Sequence, residues 1–170
     1  MHIFLTGDIQ VGKSTIIRRW LSSRPGLKPG GFLTVWNGDR WGAGASLHII
    51  PADGSGQACE ENCIKRRTPD GMHDYPAVYD RIGTALLNSG CSSELIVMDE
   101  VGPGENEAFL FHKAVLNVLD GDVPVLGVVR ALPGVLPDAV RAHSRVRVIT
   151  VTVENRDAVL SDLLKHFPEK

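Results

Sequence analysis

The chain has 170 residues, 43% hydrophobic and 22% charged, with 18 basic against 20 acidic side chains. That profile is ordinary for a globular protein and long enough for one compact domain around a main core. A net charge of −2 argues against a nucleic-acid binder with a broad basic face, and no apolar run approaches the roughly twenty residues of a membrane helix.

His2-Ile3-Phe4-Leu5-Thr6 is a short apolar run, as a strand buried in a parallel sheet should be. It leads directly into Gly7-Asp8-Ile9-Gln10-Val11-Gly12-Lys13-Ser14-Thr15, which satisfies G-x-x-x-x-G-K-[ST] at every defined position. Two glycines let the backbone turn so that successive N–H groups face one anion. The helix that starts there, expected over 13–23 with Ile16, Ile17, Trp20 and Leu21 on one face, adds the positive end of its dipole. Lys13 would reach the β- and γ-phosphates, and the Ser14 hydroxyl would ligate Mg²⁺. No secretory signal is visible ahead of this strand. Three cysteines, Cys59, Cys63 and Cys91, do not pair evenly and read as reduced thiols, so a cytoplasmic location is expected.

Arg24-Pro25-Gly26 breaks the first helix. Strands are expected over 32–36 and 45–50, joined as a hairpin through a long loop that starts at Asn37-Gly38-Asp39. Residues 51–68 lack periodicity and read as an irregular surface segment with at most one short strand. Tyr75, Val78, Tyr79, Ile82, Ala85 and Leu86 recur at helical steps, predicting a helix over 74–88. Leu95-Ile96-Val97-Met98 is a buried strand that ends in Asp99-Glu100. A helix over 108–119, a strand over 123–129 and a short helix or loop over 133–142 follow. The chain closes with a strand over 146–151 and a helix over 152–167, for which Thr152 is the expected N-cap. Strands alternating with helices imply right-handed crossovers and a mainly parallel α/β sheet, with the hairpin as an antiparallel edge.

The chemistry concentrates at three places. Asp99 ends a hydrophobic strand downstream of a phosphate loop, where such an acid holds Mg²⁺ with Ser14. Glu100 is placed to orient and deprotonate a water in line with the γ-phosphate. Arg130 stands just past the next strand, on the carboxyl edge where ligands of open α/β sheets bind, and would meet charge growing on the leaving group. Arg18, Arg19, Arg66, Arg67, Arg141, Arg145 and Arg147 read as solvated. Cys59 and Cys63 with His48 or His73 invite a zinc reading, against which two plain thiols are the default. Trp36 and Trp41 could stack on a base or pack on the sheet.

Several landmarks together resemble the THEP-type, or cancer-related, nucleoside-triphosphatases. Besides the phosphate loop, Gly31-Phe32-Leu33-Thr34 resembles the family's G-F-x-T, and Asp99-Glu100-Val101-Gly102 its D-E-[IV]-G, with Glu105 as the acid that follows. Glu154-Asn155-Arg156-Asp157 resembles its E-N-R-[DN]. The resemblance implies a RecA-like three-layer P-loop sandwich and Mg²⁺-dependent hydrolysis of nucleoside triphosphates, slow and broad in base preference. By motif position Lys13, Ser14, Asp99 and Glu100 would take the phosphate, metal and water roles. Asn155 and Arg156 would lie near the base, unless they only build a helix-start network around Thr152. Pro103 stands where the family has a lysine, and Val35-Trp36-Asn37 replaces its acidic and basic pair.

The expectation is therefore one nucleoside-triphosphatase domain over 1–170 that takes ATP, GTP and related nucleotides, with no membrane or nucleic-acid partner and no protein partner identified. A P-loop kinase is the rival enzyme, although no arginine-rich lid is visible. A nucleotide-dependent switch acting through a partner protein is the rival of another class.

Overall fold

Strand β1 (His2–Thr6) sorts its side chains to both sides, with Ile3 and Leu5 in one buried cluster and Phe4 in the other. A strand covered on both faces is what its unbroken apolar run requires. The computed structural model describes residues 1–167, the side chains of Cys91 and Pro103 excepted. The other strands are β2 (Gly30–Asn37), β3 (Ser46–Pro51), β4 (Cys63–Thr68), β5 (Gly71–Asp74), β6 (Ile96–Val101), β7 (Val125–Val129) and β8 (Val146–Thr150). They form one sheet in the order β5-β4-β3-β2-β6-β7-β1-β8. From β2 to β8 every neighbouring pair is parallel, and from β2 to β5 every pair is antiparallel.

Helices cover both faces. Helix α1 (Lys13–Ser22) directs Ile16, Ile17 and Trp20 onto Leu5, Val97 and Val128. Helix α2 spans 76–89 and passes through a π turn at Tyr79–Gly83. With α3 (Phe109–Asp120) and α4 (Val135–Ala142) it covers the opposite face. There Phe111 meets Phe32 and Tyr79 at ring-centroid distances of 5.6 and 5.2 Å. Helix α5 (Arg156–His166) returns to the side of α1, where Val159 and Leu163 are buried. The result is a three-layer sandwich with a core on each side of the sheet. No helix of the described residues is long and apolar enough to cross a membrane.

Two local expectations change. The segment 51–68 holds the one short strand allowed for it, β4, but that strand pairs with β3 and with the unexpected β5, so the edge hairpin continues into two more antiparallel strands. Only Cys63 and Ile64 of β4 are buried and β5 buries none of its residues, so neither strand carries the alternation that marks a half-buried strand. The last helix begins at Arg156, not at Thr152. The Thr152 hydroxyl accepts from the Asn155 N–H at 3.3 Å, and Asn155 Oδ1 accepts from the Thr152 N–H at 2.8 Å. This reciprocal pair closes a turn ahead of the helix and takes the hydroxyl away from the first helical turn.

Candidate active site

The carboxyl ends of β1, β6 and β7 lie side by side in the sheet, and each leads into a loop that bears on one cleft. After β1 the chain enters the glycine loop with Gly7 at φ 134° and Gly12 at φ 100°. Gly7 is required twice over, because a Cβ there would sit 2.3 Å from the Val151 carbonyl oxygen at the end of β8. Gly12 is the N-cap of α1, so the free N–H groups of the first turn point into the cleft. The cleft encloses about 570 Å³ and is lined by the loop from Gly7 to Thr15, Val11 excepted, together with Arg40, Glu100 and Arg130 to Leu132.

Lys13 is buried, and its Nζ donates to the Gly7 and Asp8 carbonyls at 2.9 and 2.6 Å. Burial holds its ammonium below the usual lysine range, with the Glu100 charge opposing that shift. Beside it the Ser14 hydroxyl donates to Asp99 Oδ1 at 2.7 Å. Asp99 is wholly buried, and its Oδ2 has no hydrogen-bond partner among the described residues. Burial pushes the Asp99 carboxyl up to about 6, against the Ser14 hydrogen bond that pulls it down. A hydroxyl and a half-satisfied buried carboxylate side by side are a fitting donor set for a hard divalent cation, which takes oxygen ligands and keeps several waters.

Glu100 opens to the cleft and pairs with Arg130, Oε1 to Nε at 3.5 Å. The register between β6 and β7 shifts between Met98 and Val101, so the strand is irregular where its two acids stand. Arg130 is fixed through its backbone, with its N–H donating to Val101 O at 2.9 Å. The turn that carries it is clamped from α4, where Arg141 donates to the carbonyls of Arg130 and Leu132 and pairs with Asp138. Arg141 is thus a structural clamp and not the solvated charge expected.

Residues 2–164 match the family model described as NTPase. The chain is 30% identical to the nucleoside-triphosphatase THEP1 of Methanosarcina acetivorans, over 100% of this chain and 98% of the other. The chain belongs to the THEP1-type nucleoside-triphosphatase family. The human cancer-related nucleoside-triphosphatase is also 30% identical, over 96% of this chain and 94% of its own. The crystal structure of THEP1 from the hyperthermophile Aquifex aeolicus superposes with a TM-score of 0.80, at 21% identity over 99% of this chain and 100% of that one, a likeness of fold. The solution structure of the human protein gives 0.65, at 26% identity over 97% and 96%. The enzyme is a nucleoside-triphosphatase.

Within this nucleoside-triphosphatase the expected residues separate into groups. Gly7, Asp8, Ile9, Gln10, Gly12, Lys13, Ser14, Thr15, Glu100 and Arg130 meet at the cleft, and Asp99 lies beneath it on Ser14. Val11 belongs to the loop but turns into the core. Asn155 does not reach the cleft: its Nδ2 donates to Thr150 O at 2.9 Å and its Oδ1 serves Thr152. Arg156 flanks the loop, with its Cδ 3.8 Å from where a Gly12 Cβ would stand. His48 is committed to hydrogen bonds, its Nδ1 to Cys59 O and Asn62 Oδ1 and its Nε2 to Ser46. Among the described residues no group of three or more His, Cys, Asp and Glu could hold a metal, which leaves Cys59 and Cys63 as free thiols. The Cys91 and Pro103 side chains lie outside the described residues.

Sequence reasoning missed Arg40. It lies in the β2–β3 loop, with its guanidinium 5.2 Å from the Trp36 ring centroid and 5.5 Å from that of Trp41. The available signal was the placement of an arginine between two tryptophans in a polar loop. Both rings are engaged by arginines, Trp41 also by Arg67 at 5.8 Å.

Proposed function

We propose that this cleft binds nucleoside 5′-triphosphates, ATP and GTP among them, and hydrolyses them slowly to diphosphate and orthophosphate. Residues 1–170 act as one domain in this reading, with broad base preference. The observation that carries it is the Ser14–Asp99 contact at 2.7 Å beneath the glycine loop, with the second Asp99 oxygen buried and unpartnered. Ser14 and Asp99 would hold Mg²⁺, which when bound neutralises charge on the β- and γ-oxygens. The loop amides from Gly7 to Thr15 cradle the phosphates, and Lys13 exchanges its two carbonyl partners for phosphate oxygens. Glu100 orients the attacking water and takes its proton. Arg130 meets the charge that develops as the terminal bond opens. Arg156, beside Gly12, offers a planar cation on which any base can stack, which supports a broad preference.

The test is phosphate release from ATP and from GTP with Mg²⁺ and no acceptor. We expect steady release by the wild type, Lys13→Ala to weaken nucleotide binding itself, and Glu100→Gln to bind normally while losing at least ~10²-fold in turnover. Full activity in Glu100→Gln would remove that residue from the mechanism. Release only on addition of a phosphoryl acceptor or a protein partner would favour the kinase or switch reading.

A further inference from the structure

The cleft described above faces two arginines, and they are not in the same state. Arg130 is paired with Glu100. Arg40 is half-buried against Trp36 and Trp41, lines the same cleft, and its guanidinium has no hydrogen bond or ion pair among the described residues. Arg40 thus brings an unpaired guanidinium to a cleft that already holds Lys13 and the first-turn amides of α1. Excess positive charge converging on a concave site marks it for an anion. The loop that carries Arg40 is held in shape. Asp39 Oδ1 accepts from the Trp41 N–H at 3.1 Å, Gly42 N–H donates to Asp39 O at 2.8 Å, and Arg67 Nε donates to the Arg40 carbonyl at 3.4 Å. Arg40 also sits at the Glu100 end of the cleft, since Glu100 and Arg130 are the charges that act on it most strongly, whereas Arg156 flanks Gly12 on the loop.

We propose that Arg40, presented by the β2–β3 loop on a platform of Trp36 and Trp41, is a catalytic residue that donates to the γ-phosphate oxygens in the transition state. This rests on the phosphate-site reading above. In the step it serves, a water oxygen bonds to the γ-phosphorus while the bond from that phosphorus to the bridging oxygen breaks. The electron pair of the broken bond stays on the β-phosphate, and the water proton passes to Glu100 and then to the departing orthophosphate. The fork of donors on Arg40 matches the spread of charge over the equatorial oxygens, which a single ammonium does less well. Arg130 keeps its place at the leaving group beside Glu100, and Arg40 is the arginine free to reach the γ-phosphate without drawing on that pair.

The experiment compares wild type, Arg40→Ala, Arg40→Lys and Lys13→Ala. It measures phosphate release, Kd for ADP with Mg²⁺, and capture of ADP with aluminium fluoride. We expect Arg40→Ala to lower kcat by ~10²-fold, to keep the ADP Kd within about threefold, and to lose the aluminium fluoride complex, with Arg40→Lys recovering little of the rate. A kcat within about threefold of wild type overturns the assignment. So does a loss in kcat matched by an equal loss of ADP affinity, which would make Arg40 a binding or structural residue. If Lys13→Ala is impaired while Arg40→Ala is not, this proposal alone fails. If the wild type releases no phosphate, or Lys13→Ala binds and turns over normally, the phosphate-site reading fails and takes the Arg40 assignment with it.

Discussion

Asp99 and Glu105 stand on either side of the turn after β6, both carboxylates almost wholly withdrawn from water, and their surroundings differ in kind. Asp99 has one partnered oxygen, on Ser14, and its Oδ2 makes no hydrogen bond of ordinary length and angle among the described residues, although the Thr34 N–H lies near enough to favour its charge. Glu105 is surrounded by donors: the Gly102 N–H reaches its Oε2 at 2.9 Å, the Tyr79 hydroxyl donates to it, and Lys65 lies near enough to favour its charge. Its backbone carbonyl accepts from the Ala108 N–H at 2.8 Å and meets His112 Nε2 at 2.7 Å. Burying a carboxylate is costly, and satisfying it with hydrogen bonds offsets the cost. Glu105 is thus a structural anchor that holds Gly102 and the turn beside Arg130. Asp99 is left in a state that the proposed cation would complete.

The comparison predicts opposite signs for two substitutions. Asp99→Asn should lower Mg²⁺-dependent turnover by ~10³-fold, the several kcal/mol that a bound metal supplies. In EDTA at pH 8 it should stabilise the protein by on the order of 2 kcal/mol, because a penalised charge has been removed. Glu105→Ala should do the reverse, destabilising by about 2–3 kcal/mol: burial penalises its charge too, but Gly102 and Tyr79 lose their acceptor and the truncated side chain leaves a cavity, with a smaller loss of turnover. Urea unfolding in EDTA beside phosphate-release assays measures both. If both variants lose similar stability without metal, the contrast between the two acids breaks.

The pH dependence then sharpens the comparison. Burial pushes Glu105 up to about 7 and Asp99 up to about 6, both above their unfolded values. Each therefore binds its proton more tightly when folded. The stability each contributes is complete below its unfolded value and is lost as pH rises through its folded one. Unfolding free energy in EDTA should fall between pH 5 and 8. Glu105→Gln should flatten the part of that fall near pH 7, and Asp99→Asn the part near pH 6. A curve unchanged in both variants would show that neither group titrates as its surroundings imply.

Legibility in the sequence followed the physics of each region. The parallel half of the sheet was readable because strands buried on both faces must be continuous apolar runs, as in Ile3–Leu5 and Ile96–Met98. The glycine loop was readable because its backbone conformation admits few residues. Strands β4 and β5 were not, since β4 carries the half-buried Lys65, Arg66 and Arg67 in a row and β5 lies at the sheet edge with none of its residues buried, so neither needs alternation to pair. Glu105 could be aligned with a family acid, but its partners Tyr79 and Lys65 come from α2 and β4, contacts that no local pattern encodes. Arg40 was hidden for the same reason, because the β2–β3 loop reaches the cleft only through the tertiary fold.

Lys13 closes a small circuit of its own, gripping the carbonyls of Gly7 and Asp8 in the loop it belongs to. Those bonds keep the ring of amides cast in its receptive shape before any guest arrives. In the function proposed above, an incoming phosphate would trade places with two oxygens of the host, so the ammonium would never be left bare and the loop need not be remoulded. Docking at this residue would then be a swap between like partners, and such a swap would favour rapid, reversible capture.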